Sequence, residues 1–117
     1  RCKDSIFLKK YELKGYRLNF RSKYRAADIE KKNNSIVPGA LFEISKSDEK
    51  KLDVYEDFPI LYKKYYFYYY GKKVMTYTMV NKTLFKFPTE RYLNIVKRGY
   101  KDCNLEYKYL KVALLNK

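Results

Sequence analysis

The sequence predicts an α+β fold in a single domain, residues 1–117, and three observations carry that reading. The 117 residues leave room for one core, because separate cores rarely fit below roughly 200 residues. Apolar residues repeat every two positions in some segments and every three or four in others. These segments run in the order strands, helix, hairpin, two helices, without the strand–helix–strand alternation that builds parallel sheets.

The first strand carries Tyr11 and Leu13, then Tyr16, Leu18 and Phe20. The alternation slips phase at Gly15, as expected of a bulge or tight turn, since glycine tolerates the backbone angles an extra residue requires. Arg21 to Ser35 are charged and polar, with Asn33-Asn34-Ser35 as a turn signal. They read as a connection holding at most a short edge strand near Ala26–Glu30. Ile36 to Ile44 form the next strand, with Pro38 near its start, where a missing N–H is tolerated.

A helix begins after Ser45, which forms a capping-box pattern with Asp48, and Asp48-Glu49 place acid at the positive end of its dipole. It is expected to run from Lys46 to about Asp57 and to stop before Pro59. Leu52, Tyr55 and Phe58 form its apolar stripe, Glu56 borders that stripe, and Asp53 sits one step round towards solvent, as a structural residue accepting backbone or lysine bonds. Leu61–Tyr70 and Val74–Val80 form a hairpin turned at Gly71-Lys72-Lys73. Its first strand is aromatic on both faces and reads as a strand covered on both sides. The alternative, a stacking platform for nucleic acid, suffers because adjacent aromatics point to opposite faces. Thr89 caps a helix from Glu90 to about Arg98, with Tyr92, Leu93, Val96 and Tyr100 facing the core and Gly99 as a stop signal. Asn104 opens a last helix carrying Leu105, Tyr109, Val112 and Ala113.

Composition narrows the chemistry. There is no histidine, so a Ser-His-Asp triad, a His-ligated zinc and a His general base are all excluded. Cys2 and Cys103 make neither a disulfide framework nor a metal site, and no metal or cofactor is expected. No uncharged apolar run approaches the ~18–20 residues that span a bilayer. The net charge of +14 invites a nucleic-acid reading. Lysines outnumber arginines 21 to 6, however, and are scattered, whereas base-reading proteins favour the bidentate arginine fork. Non-specific attraction to polyanions that fades with salt is expected, with no specific nucleic-acid partner.

Several segments resemble the gamma-glutamylcyclotransferase-like family, which includes AIG2-like proteins and gamma-glutamylamine cyclotransferases. They are Gly15-Tyr16-Arg17-Leu18 with Phe20, Val37 to Ile44, and above all Leu52-Asp53-Val54-Tyr55-Glu56 followed by Pro59 and Tyr62. Met75-Thr76-Tyr77, Pro88, Tyr92-Leu93, Gly99-Tyr100, Leu105 and Tyr107 continue the series in order. Two departures stand out. The family's Tyr-Gly-Ser-Asn-type loop, which holds the glutamyl end of the substrate, is absent, and Arg1-Cys2 resembles the stretch that members of the family carry shortly after that loop. The front of the protein is therefore expected to be missing from this chain. Asp57 stands where the family usually has Gly.

The resemblance implies a mixed, mostly antiparallel sheet curled into a barrel-like core with flanking helices. It implies a cytoplasmic enzyme that releases 5-oxoproline from a small γ-glutamyl substrate: the substrate's α-amine attacks its own side-chain amide carbonyl and expels an amine. Glu56 is the expected general acid and base, by its match to the family motif. Tyr92 and Tyr62 are the expected substrate-binding residues. Without the motif, Glu56 would read as an ordinary helix-end carboxylate paired with Lys63 or Lys64, and Tyr92 as a core residue. A non-catalytic domain of the same fold, binding a small amine or a protein, is the alternative. A basic nucleic-acid-binding module is the more distant one.

Overall fold

The computed structural model describes residues 5–115; Cys2 lies outside them. The elements follow the expected order: β1 (Ile6–Arg21), β2 (Ala26–Glu43), α1 (Lys46–Tyr55), β3 (Tyr62–Tyr69), β4 (Lys72–Met79), α2 (Glu90–Asp102) and α3 (Lys108–Leu114). The strands form two two-stranded sheets, β1 with β2 and β3 with β4. The α+β class therefore holds, but the described strands do not close into the expected barrel. The chain divides into two compact units: residues 43–81 together with Ser5 and Ile6, and residues 7–42 with those from Lys82 onward.

In the second unit, β1 and β2 are joined by residues 22–25, a connection only an antiparallel pair can use. Gly15 has φ +80° inside β1, which explains the slip in alternation. Sequence reasoning placed a connection where β2 runs without a break from Ala26 to Glu43. Residues 31–34 are exposed, so a polar composition that resembles a loop here belongs to strand facing water. Asn34 has φ +62°; asparagine accepts the left-handed region within the strand, and its turn chemistry does not reverse the chain.

Phe20 is fully buried and anchors a core with Leu93, Tyr100, Leu110 and Ala113. Its carbonyl accepts from the Lys86 amide at 2.8 Å, and its ring meets that of Tyr92 edge-on at 6.3 Å. The helical stripe Tyr92, Leu93, Val96, Tyr100 faces this core as expected. Gly99 does not end α2, which continues to Asp102. The stop comes at Asn104, φ +54°: its amide bonds Lys101 O at 3.1 Å and the Leu105 amide bonds Tyr100 O at 2.8 Å. This is a Schellman closure with asparagine in the usual glycine place. Asn104 thus ends α2, and α3 begins only at Lys108. Val112 is exposed while Leu110 and Ala113 face inward.

Alternating with Leu18 and Phe20, the side chains of Arg17, Asn19 and Arg21 leave β1 on its other face and meet Asp28 and Glu30 of β2. Arg17 pairs with Glu30 at 2.6 Å, Arg21 with both Asp28 and Glu30, and Lys82 with Asp28 at 2.8 Å. Arg21 and Asp28 are almost completely buried. Removing one member of such a cluster leaves an under-compensated buried charge, which typically costs about 3–5 kcal/mol. Arg21→Ala is expected at the low end, about 3 kcal/mol, because Lys82 still meets Asp28 and Arg17 still meets Glu30. Exposed Lys31→Ala should stay within about 0.5 kcal/mol. Urea denaturation of both variants checks the contrast.

Candidate functional site

The first unit is built around the end of α1. Ser45 caps its start, accepting from the Asp48 amide at 3.0 Å, as the capping pattern requires. The expected apolar stripe is not what the helix buries. Tyr55 and Val54 are exposed, and Asp48 is the buried residue. The face that meets the hairpin is acidic: Glu49, Asp53 and Glu56 recur at four and three residues and so share one side.

Opposite that side, the β3–β4 register places Lys64 directly across from Tyr77. The Lys64 ammonium donates to Glu49 at 2.7 Å and to Asp53 at 3.0 Å, and the Tyr77 hydroxyl donates to Asp53 at 2.5 Å. Asp53 therefore accepts the expected lysine bond and a second one from Tyr77, and it is half-buried rather than turned to solvent. Burial pushes its carboxyl up, but the hydrogen bonds from Tyr77 and Lys64 and the Lys64 charge outweigh that, and it lies below the ordinary carboxylate value. Burial, the bond to Asp53 and the charges of Asp53, Glu49 and Glu56 raise the Tyr77 phenol well above its ordinary value, so it stays protonated and able to donate.

Glu56 is the C-cap of α1 and is half-buried. Its amide bonds Leu52 O at 2.8 Å, Asp57 N bonds Val54 O at 3.1 Å, and Phe58 N bonds Asp53 O at 2.9 Å. These bonds make a second Schellman closure, with Asp57 at φ +54°. A residue in this position must adopt the left-handed region, which glycine enters freely and aspartate tolerates. The backbone thus accounts for the residue type at the place where the family resemblance leads one to expect Gly. Lys64, one of the two lysines expected to pair with a helix-end Glu56, is engaged by Glu49 and Asp53.

Tyr62, six residues on, is buried and meets the Tyr77 ring edge-on at 6.3 Å. Tyr92 belongs to the second unit, where its hydroxyl accepts from the Ala27 amide at 3.0 Å. Glu56 and Tyr62 thus share one unit and Tyr92 lies in the other. Two cavities, of about 670 and 240 Å³, are lined by residues of the second unit, without Glu56, Tyr62 or Tyr92. Sequence reasoning missed Tyr77 as a partner of the helix and offered Lys64 to Glu56, whereas Lys64 bonds Glu49 and Asp53. The available signal was Met75-Thr76-Tyr77, whose alternation puts Tyr77 and Met75 on one face of β4. Among the described residues no group of acidic, cysteine or histidine side chains is arranged to hold a metal, and no helix is long and apolar enough to cross a membrane.

This geometry sets up two stability tests. Asp57→Val forces a β-branched residue into the left-handed region and should cost about 1–2 kcal/mol. Asp57→Gly should be neutral or stabilise, by up to about 1 kcal/mol; chemical denaturation separates the two. Asp53 has a folded-state pKa below its unfolded value, so its stabilisation is complete above about pH 4 and is lost as pH falls through the lower folded value. Asp53→Asn should flatten this acid limb of the stability profile and lower stability at neutral pH.

The model of the family described as "Gamma-glutamyl cyclotransferase, AIG2-like" matches residues 1–99. Among solved structures, one described as a gamma-glutamyl cyclotransferase superposes with a TM-score of 0.75 at 20% identity, covering 100% of this chain and 78% of its own. The uncharacterized protein loc79017 from Homo sapiens gives a TM-score of 0.74 at 21% identity, covering 97% and 76%. At these identities the two structures establish likeness of fold. No curated protein sequence matches the chain. With the family model spanning most of its length and the fold shared, the chain belongs to the gamma-glutamyl cyclotransferase, AIG2-like family.

Proposed function

We propose that this protein cyclises a γ-glutamyl amine or amino acid, releasing 5-oxoproline and an amine, with Glu56 as general acid and base. The observation that carries this reading is the placement of Glu56: half-buried, and held by a fixed helix closure at the end of the Leu-Asp-x-Tyr-Glu run.

In this reading the nucleophile belongs to the substrate, so neither Ser, Cys nor metal is required. The α-amine has a pKa near ~8 and is largely protonated at neutral pH. The Glu56 carboxylate takes that proton, and the freed lone pair attacks the γ-carbonyl. A five-membered ring closes through a tetrahedral intermediate. Glu56 then delivers the proton to the departing nitrogen as the C–N bond breaks, and the second proton of the ring nitrogen passes the same way, so that the amine leaves as its ammonium and the lactam is neutral. Holding amine and carbonyl together contributes as well, because well-oriented intramolecular reactions gain ~7–11 kcal/mol.

Tyr62 and Tyr92 are the substrate-binding residues of this proposal, both by family motif. Each also packs: Tyr62 against Tyr77, and Tyr92 against Phe20 and the Ala27 amide. Loss of either therefore has a stability component that must be measured beside KM. A cytoplasmic location and a small-molecule partner go with the same reading.

The deciding experiment is Glu56→Gln in the protein expressed from its natural start, assayed for 5-oxoproline from a panel of γ-glutamyl amines and amino acids. Glutamine keeps the size and most hydrogen bonds but accepts no proton. We expect kcat to fall by ~10²–10⁴ with little change in substrate binding. Near-normal turnover on a good substrate would remove Glu56 from the mechanism.

A further inference from the structure

The second unit holds a cavity that plays no part in the reaction proposed above. Asn94, Lys97, Arg98 and Lys101 recur at steps of three and four along α2, forming a polar stripe on that helix. The Schellman closure at Asn104 turns the chain so that Leu105 and Tyr107 line the same cavity, which has a volume of about 670 Å³. The Tyr107 ring is held edge-on to Tyr100 at 6.3 Å, which fixes its wall.

The charges in this cavity are not balanced. Lys97, Arg98 and Lys101 line it together with one carboxylate, Asp102. The next acidic residue, Glu106, pairs with Lys108 at 3.0 Å. None of the three cations has an ion pair among the described residues. Cations in the last turns of a helix also complement its dipole, and a solvated face would need nothing more. The space is an open groove, and a solvated face would not need the apolar and aromatic side that Leu105 and Tyr107 give it.

We propose that this cavity binds an oligophosphate. Arg98 offers a planar fork to two phosphate oxygens, Lys97 and Lys101 supply point charges, and Tyr107 with Leu105 receives any planar group the phosphates carry. The volume is in the range of small-molecule sites, ~300–1,000 Å³. The ligand is recognised by phosphate chemistry shared between inorganic polyphosphates and nucleotides, and Tyr107 tells the two apart.

The test is calorimetric titration of the whole protein with inorganic triphosphate and with ATP, near physiological salt. Saturable micromolar binding is expected. The variant Lys97→Ala/Arg98→Ala/Lys101→Ala should lose at least about tenfold in affinity, as expected for charge-assisted hydrogen bonds. The control Lys31→Ala/Lys32→Ala/Lys72→Ala removes the same charge from exposed strand positions and should lose much less. Circular dichroism checks that both variants fold, and Arg98→Lys, which keeps the charge, should still weaken binding by loss of the fork. Loss of ATP affinity alone in Tyr107→Ala identifies a nucleotide, and ATP affinity unchanged from that of the parent protein identifies an inorganic polyphosphate. Binding no tighter than millimolar, or equal losses in the two triple variants, would overturn the proposal.

Discussion

The first unit depends on one residue used at both ends. The backbone carbonyl of Asp53 accepts the Phe58 amide and closes α1, while its carboxylate accepts from Lys64 and Tyr77 of the hairpin. The same residue therefore decides where the helix stops and which strands it faces. Glu56, three residues on, inherits both constraints. The arrangement replaces the apolar packing that usually joins a helix to a sheet, and that replacement explains how Tyr55 and Val54 remain exposed without detaching the helix. Charge-assisted hydrogen bonds are roughly twice as strong as neutral ones, and here two converge on one carboxylate.

Much of the fold was legible because local rules and the final structure agree. The Ser45 cap, the Thr89 cap, the hairpin and the core stripe of α2 all follow from residue type at fixed spacing. The rest was hidden for identifiable reasons. Residues 31–34 look like a loop because a strand that faces water on one stretch needs no apolar residues there. Gly99 looks like a stop, but a stop needs a left-handed residue with the right downstream bonds, and Asn104 supplies it. The turn of the hairpin shifted for the same reason: Tyr70 and Gly71 both have positive φ, the signature of a type I′ turn. The second face of β3 was expected to be covered, yet Tyr66 and Tyr68 are exposed. Tyrosine can be exposed at little cost, so aromatic density alone did not report burial.

For the site, the sequence pattern nominated Glu56 and expected Asp53 to accept backbone or lysine bonds from a position turned towards solvent; the lysine bond is there, but the phenol of Tyr77 was not foreseen. Helical spacing says which residues share a face; it does not say whether the opposing strand offers a lysine and a phenol. That depends on strand register, which places Lys64 beside Tyr77 and is not encoded near α1. The likeness of fold at about 20% identity points the same way. The path of the chain is shared where about four residues in five differ.

Gly99 carries a consequence of its own. It lies inside α2, with nothing within 4 Å of where a Cβ would be, so no close contact requires glycine there. Glycine within a helix costs about 1 kcal/mol relative to alanine, and no packing at this point returns it. The final turn, from Gly99 to Cys103, is therefore the part of α2 held least by its own backbone preference, although Tyr100 ties it to the core. Such segments open locally at a fraction of the global unfolding free energy. Cys103 closes this turn through its backbone amide, which bonds Gly99 O at 3.0 Å, and the rate of alkylation of its half-buried thiol would report fraying of the helix end while the core stays folded.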